Sequence, residues 1–598
     1  MDLGAGIIID IVGGEVMLQE CLAVFKQVLE RDPNVIFRDY IPANGTYLLV
    51  GKDDQLKGYP MEIQIDKKTG TIDKSAVYFK EFCIYDYYSK LISMNKPLDP
   101  SKVIHSNNLY SFFVKKENIV NGKLTEAVID KYYEILENPI AKYSNGKARS
   151  LYEKVEKKFG KVDVQLLEKN KNWIKEHIFS ICDLVSSVDL GKKDYLKIFF
   201  EAEPQEYERE GNRYFIPNIY NSNYYNVEVE DRVYGLPDNN LGMNAKKPFL
   251  GIKTRKVPAP YLLDEEAVIL QKKLFDYFMN FVSAGKYNVY VDLERNRFEA
   301  CRNDTVPMNH ISGIFLRLQK GKNEAEIHYQ DVVPYYQKEL EEAFPYRNYM
   351  QVVNEKHPEK EAVYGMYETL LELEGLVDDI MYSKYLKNNY FTEPDKLRIL
   401  DERLKKNLLL HRQELFSWFR MNRKNGIKKI VEQVFLQNIV SSVLNGYHAK
   451  AVKQINLRLS FLQYLERGES YMPDFSVKMR EDLKEKVMSK ESVGFANDTE
   501  YYYAVGQVMR YFIYLNKSSK RDESLINVVL NARDSHTINA RVERYYERYN
   551  YAISSKRVNN LCKMIWGYET QEKVKRDMIC MGYVDNNILL EKKEENHE

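Results

Sequence analysis

The stretch Ile216 to Asn226 reads IPNIYNSNYYN, in which Asn218, Asn221, Asn223 and Asn226 interleave with Tyr220, Tyr224 and Tyr225. A carboxamide can donate to and accept from a base edge, and a phenol can stack or donate to a phosphate, so the pattern fits sequence-reading contacts without bulk positive charge. Lys246, Lys247, Lys253, Arg255 and Lys256 follow soon after and could hold a phosphate backbone. The same asparagines are equally good turn formers, and by themselves they read as a surface loop.

Two further stretches have a binding character. In IHSNNLYSFFVKKE (Ile104 to Glu117), Asn107 and Asn108 lead into an aromatic strand that ends in Lys115 and Lys116. Near the C-terminus Arg541, Arg544 and Arg548 recur at spacings of three and four, which places them on one helix face, with Lys556 and Arg557 after them. Such a stripe could steady an unwound strand electrostatically. Glu543 and Glu547 could instead partner it.

Catalytic patterns are scarce. The chain has no GxxxxGK[ST] phosphate loop, no HExxH, no GxSxG and no His-Asp dipeptide. Pro473 and Asp474, followed by Asp482 and Lys484, fit a loose nuclease pattern in which two carboxylates and a lysine orient a divalent ion and water. Asp482 and Lys484 sit in REDLKEKV, however, where alternating charge normally marks a solvated helix face. The nine histidines are dispersed, and the six cysteines (Cys21, Cys83, Cys182, Cys301, Cys562, Cys580) form no CxxC pair. These features predict a non-enzymatic protein with reduced thiols and neither metal nor cofactor.

The elements that would carry these residues predict an α+β fold. At 598 residues the chain exceeds one ordinary core and should divide into domains. Strands are expected at TYLLVG, MEIQID, AVYFKEF and LYSFFVKKE, with a hairpin turn at KKTGTID. A helix capped by Thr125 should follow, then a helical stretch, the strand YLKIFFEAE, the loop-rich segment 211–261, a helix over 264–282 and a hairpin in YNVYVDLERNRFEAC. GAGIIIDIVGG lacks dinucleotide-binding spacing and reads as the start of a packed helix. The predicted organisation is a mixed α/β N-terminal region over 1–360 carrying DNA motif recognition, a mainly helical region over 361–470 and a C-terminal helical bundle over 471–598. A net charge of +1 argues against a protein that coats nucleic acid with its whole surface. The N-terminus lacks a basic signal-peptide region and no apolar run reaches membrane-spanning length, which points to a soluble, cytoplasmic protein without membrane contact.

Taken in order, IHSNNLYSFFVKKE, PNIYNSNYYN, VYGLPDNNLGMNAKKPFLGIKTRKVPAPYL, YNVYVDLERNRFEA, YYYAVGQVMRYFIYLNKSSK and NNLCKMIWGYE resemble the large subunit of type I-B CRISPR Cascade, the Cas-eight b protein of the Csh subtype. The likeness runs from about residue 40 to 590. It implies a non-catalytic subunit of an RNA-guided surveillance complex whose N-terminal domain reads the protospacer-adjacent motif on duplex DNA and whose helical bundle lies beside the separated strands. Guide RNA would read the remaining sequence by base pairing. The implied partners are guide RNA, target double-stranded DNA, the backbone, guide-end, guide-processing and small subunits, and a helicase-nuclease recruited after target binding. On this reading Asn221, Asn223, Tyr224, Asn226, Asn107, Asn108, Lys115, Lys116 and the lysine-rich loop would contact the motif. A metal-dependent nuclease and a purely structural scaffold are the alternatives.

Overall fold

A computed structural model describes the chain except for residues 1–4, 67–71, 92–96, 144–145, 222, 239–240, 242–261, 322–323, 352–362, 466–471, 490–492, 517–521 and 592–598. The fold is mixed α/β, with small sheets in the N-terminal half and mostly helices in the C-terminal region. Two compact units result: the first holds residues 1–302 and 312–334, the second 303–311 and 335–598.

In the first unit, β1 (Gly45–Val50), β2 (Met61–Ile63), β3 (Ser111–Lys115) and β4 (Tyr195–Phe200) form a sheet in the order β2-β1-β4-β3. β1 and β4 run parallel, and β2 and β3 flank them antiparallel. Nearly every residue of β1, β3 and β4 is buried, as expected of strands covered on both faces. Alternation assigns the faces. Phe113 and Phe199 meet Phe82 of the helix Phe79–Ser89 through a shared aromatic cluster, with Phe113–Phe199 and Phe82–Phe199 centroids 5.2 and 5.4 Å apart. On the other face Phe112 lies 6.2 Å from Tyr132, and Phe200 lies 5.8 Å from Trp173. Those two rings come from the helices Glu126–Glu137 and Val164–His177.

The helix Phe79–Ser89 replaces the strand expected at AVYFKEF. Phe79, Phe82, Cys83, Tyr85, Asp86 and Ser89 are its buried positions, and Phe79, Phe82, Cys83, Asp86 and Ser89 follow the three-and-four spacing that the shorter window of alternating residues conceals. Local signals hold elsewhere. Thr125 accepts from the Val128 N–H and Asp264 from the Ala267 N–H, each as a side-chain cap. The helix Ala5–Arg31 includes the stretch GAGIIIDIVGG from Ala5 onward. The turn expected at KKTGTID lies largely outside the described residues.

After the helix Pro204–Phe215 comes a short hairpin, β5 (Val227–Val229) with β6 (Arg232–Tyr234). A second antiparallel sheet follows, from β7 (Asn288–Asp292), β8 (Arg297–Cys301), β9 (Ile311–Lys320) and β10 (Ala325–Tyr336), ordered β10-β9-β7-β8. The hairpin expected in YNVYVDLERNRFEAC is β7–β8, turning through Asn296 at φ 47°. Val289, Val291, Ile314 and Leu316 of this sheet pack with Val268, Leu274, Phe275 and Phe278 of the helix Glu265–Ser283.

The second unit opens with β11 (Glu339–Tyr346) and β12 (Gly365–Thr369) paired antiparallel and continues as helices. One hydrophobic core joins residues of the helix His448–Tyr464 with those of the C-terminal helices. At its centre the helix Asp498–Leu515 lies against Arg576–Val584 with backbones almost touching: a Cβ on Gly582 would stand 1.9 Å from the Tyr503 carbonyl oxygen, and one on Gly506 2.2 Å from that of Ile579. The tyrosine-rich sequence TEYYYAVGQVMRYF is therefore interior. Tyr501 donates to Asn539 at 2.8 Å and Tyr503 to Asp585 at 2.7 Å.

Candidate nucleic-acid interface

The structure separates the asparagines of IPNIYNSNYYN by what their amides already do. Asn218 donates to the Tyr214 carbonyl at 2.8 Å and to the Tyr143 hydroxyl at 3.1 Å, and Tyr220 donates to the carbonyls of Val233 and Leu263. These two side chains tie the loop to its surroundings. Asn226 donates to Asn223 at 3.1 Å across the one-turn helix Asn223–Tyr225, and among the described residues the Asn221 side chain makes a long 3.4 Å contact with Asp238. Asn223 thus spends its oxygen on the turn, while its NH2 group has no partner among the described residues. The side chain of Tyr224 and all of Lys246, Lys247, Lys253, Arg255 and Lys256 lie outside the described residues.

Within IHSNNLYSFFVKKE the expectation of DNA contacts is corrected at three positions. Asn108 is fully buried: its amide donates to the Tyr207 carbonyl at 2.9 Å and its oxygen accepts from the Tyr110 N–H at 3.1 Å. Asn107 is 2% exposed, with its backbone N–H bonded to Ser89. Lys116 is completely buried beside Asp194. All three side chains are taken out of water by the fold, so none of them is presented at the surface to a duplex. Lys115, next in sequence, projects outward with its side chain 44% exposed near Glu117.

The C-terminal stripe divides as well. Arg541 donates to the Val528 carbonyl, and Arg557 makes long contacts to the carbonyls of Ile588 and Glu591. Arg544, Arg548 and Lys556 are exposed and form no ion pair among the described residues; Glu543 and Glu547 do not engage them. Tyr551, on the turn between the helices Ser535–Tyr549 and Lys556–Trp566, is 77% exposed. A cation strip with a projecting ring has the chemistry of a single-strand contact: charges for phosphates and a π-face for a base.

The loose nuclease pattern does not assemble. Asp474 precedes the helix Phe475–Met488 in a left-handed conformation and its carboxylate accepts from Gln351, while Lys484 pairs with Glu591 at 2.6 Å. Asp482 lies eight residues along that helix, about 12 Å of rise from Asp474. Among the described residues no group of three or more His, Cys, Asp or Glu side chains could hold a metal ion, and no helix is long and apolar enough to cross a membrane.

Sequence reasoning missed a cleft of about 720 Å³ in the first unit. Its floor is the buried pair Lys197–Asp86, with Asp86 also accepting from Tyr40 at 2.7 Å and Lys197 4.6 Å from the Phe113 ring centroid. One wall carries the pair Lys272–Asp276, to which the Tyr87 hydroxyl donates at 2.6 Å. His105 bonds Tyr195 and the Lys102 carbonyl, and burial holds its pKa below the ordinary value. Burial pushes Lys197 and Lys272 down, against the pull of their carboxylates. Asp276 is also held low, because Lys272 and Lys90 outweigh its desolvation. No protein-family model, curated protein or solved structure matches the chain.

Proposed function

We propose that this chain is the non-catalytic large subunit of an RNA-guided type I-B CRISPR surveillance complex, recognising the protospacer-adjacent motif on duplex DNA, helping to start unwinding and supporting recruitment of the helicase-nuclease. The ordered sequence likeness from about residue 40 to 590 motivates the reading. The observation that carries it in the structure is the strip of Arg544, Arg548 and Lys556, exposed, unpaired among the described residues and flanked by exposed Tyr551. Lysine and arginine left without carboxylate partners are available to exchange counterions for phosphates. In the first unit, the Asn223 amide NH2 has no partner among the described residues, and the Lys115 ammonium, though near Glu117, is solvated; both are offered for duplex contacts. The lysine-rich loop would supply the remaining phosphate grip.

Co-expression with the products of neighbouring genes tests the reading. The chain should enter a complex containing guide RNA, and that complex should bind a guide-matched duplex in a motif-dependent manner in a gel-shift series. A complex that assembles but ignores the motif would make the chain a structural scaffold, and failure to associate with any guide RNA would overturn the assignment. Magnesium-dependent cleavage of DNA by the purified chain would revive the nuclease alternative.

A further inference from the structure

The cleft in the first unit is lined by a lysine whose ammonium packs on aromatic rings and forms no ion pair among the described residues. Lys90 follows the helix Phe79–Ser89, and its ammonium lies 4.5 Å from the Tyr87 ring centroid and 5.2 Å from that of Tyr40. It has no carboxylate partner among the described residues. Of the other lysines lining the cleft, Lys197 pairs with Asp86, Lys272 with Asp276 and Lys273 with Glu208, which leaves Lys90 as the lining lysine without an ion pair among the described residues. Two tyrosine faces compensate a partly desolvated ammonium only in part.

The lining also offers different chemistry. Phe215 and Met279 present half-buried apolar surface to the cleft, and Asn212, one helical turn before Phe215, lines it with a side-chain amide that has no partner among the described residues. An amide that can both donate and accept, beside an aromatic ring, is the means by which proteins hold a splayed-out base. The cleft volume of about 720 Å³ is within the range that encloses a small ligand.

We propose that this cleft is a nucleotide site, in which Lys90 takes the phosphate, Phe215 packs on the base and Asn212 hydrogen-bonds the base edge. The ligand is either a free mononucleotide or the phosphorylated end of a strand. The site stands independently of the proposed function.

Titration calorimetry on the full chain decides the matter, with uridine 5′-monophosphate, uridine, inorganic phosphate, and a short oligonucleotide with and without a 5′-phosphate as probes. Saturable binding of the monophosphate or of the phosphorylated oligonucleotide, at least tenfold tighter than uridine and than phosphate, is expected. The tighter of the two names the source. Lys90→Met keeps the stem over Tyr87 and removes the charge, and it should weaken binding at least tenfold, whereas Lys90→Arg should retain it. Should Lys90→Met fail to fold, Asn212→Leu reads the base edge instead and should weaken the monophosphate more than inorganic phosphate. The proposal is overturned if neither phosphorylated probe saturates, if inorganic phosphate binds as tightly as they do, or if a folded Lys90→Met binds as the wild type.

Discussion

The Nζ of Lys116 lies 2.7 Å from Oδ1 of Asp194, with the two side chains 0% and 9% exposed. The approach is close but misses hydrogen-bonding angles, so the two groups hold each other as charges. Removing the lysine strands a nearly buried carboxylate. Lys116→Ala should therefore cost about 3 to 5 kcal/mol in urea unfolding. Lys115→Ala should change stability by less than about 1 kcal/mol, since its contact with Glu117 is exposed.

Arg544 and Arg548 should act on nucleic acid without sequence preference. The Arg544→Ala/Arg548→Ala variant of the assembled complex should bind all targets more weakly. Its plot of log affinity against log salt should be shallower by about 1.4, or about 0.7 for each single-strand phosphate released. An unchanged slope would remove this helix face from the path of the strand.

Asn218 and Asn223 should separate by assay. Asn218→Ala removes the bonds to Tyr214 and Tyr143 and should lower stability by about 1 to 3 kcal/mol. Asn223→Ala should leave the melting temperature nearly unchanged and weaken motif-dependent binding by about 1 to 3 kcal/mol if it contacts a base. Equal motif discrimination by wild type and an Asn221→Ala/Asn223→Ala variant would exclude the loop from reading the motif.

In the second unit Arg420 and Glu374 are both buried and joined at 2.6 Å. Arg420 also donates to the carbonyls of Asn303 and Thr305, and Tyr390 donates to Glu374 at 2.8 Å. Glu374→Ala should destabilise by about 3 to 5 kcal/mol in chemical denaturation, because the guanidinium is left without its counterion. The double change Glu374→Met/Arg420→Met should recover part of that loss.

Asp378 should make stability fall with rising pH. Burial pushes its carboxyl from 3.8 up to about 6, although the Leu386 and Lys387 N–H groups favour the ionised form. A raised native pKa means the stabilising contribution is complete below the ordinary value and lost as pH climbs through about 6. The loss is at most about 3 kcal/mol. Melting temperatures between pH 4 and 7 should show this decline in the wild type and a flatter profile in Asp378→Asn, whose amide oxygen can still accept from Leu386.

Local grammar in the sequence carried much of the fold. Apolar runs marked β1, β3 and β4, Thr125 and Asp264 marked helix starts, and a polar ERN marked the β7–β8 turn, because each depends on neighbours a few residues away. The AVYFKEF window failed because a few residues satisfy both periods, and packing of Phe82 on Phe199 settled which one applies. What the polar residues do was decided by tertiary structure alone. Lys115 and Lys116 are adjacent and chemically identical, yet one is solvated and the other is sealed against Asp194, since the chain changes from strand to helix between them. The cleft is a stronger case: Lys90, Asn212 and Lys272 are far apart in the chain and come to line one cleft only when the helices Phe79–Ser89, Pro204–Phe215 and Glu265–Ser283 are packed in the folded unit. Charge and residue type are written in the sequence, but burial and the nearest opposite charge, which fix whether a group is structural or free to bind, arise only from packing.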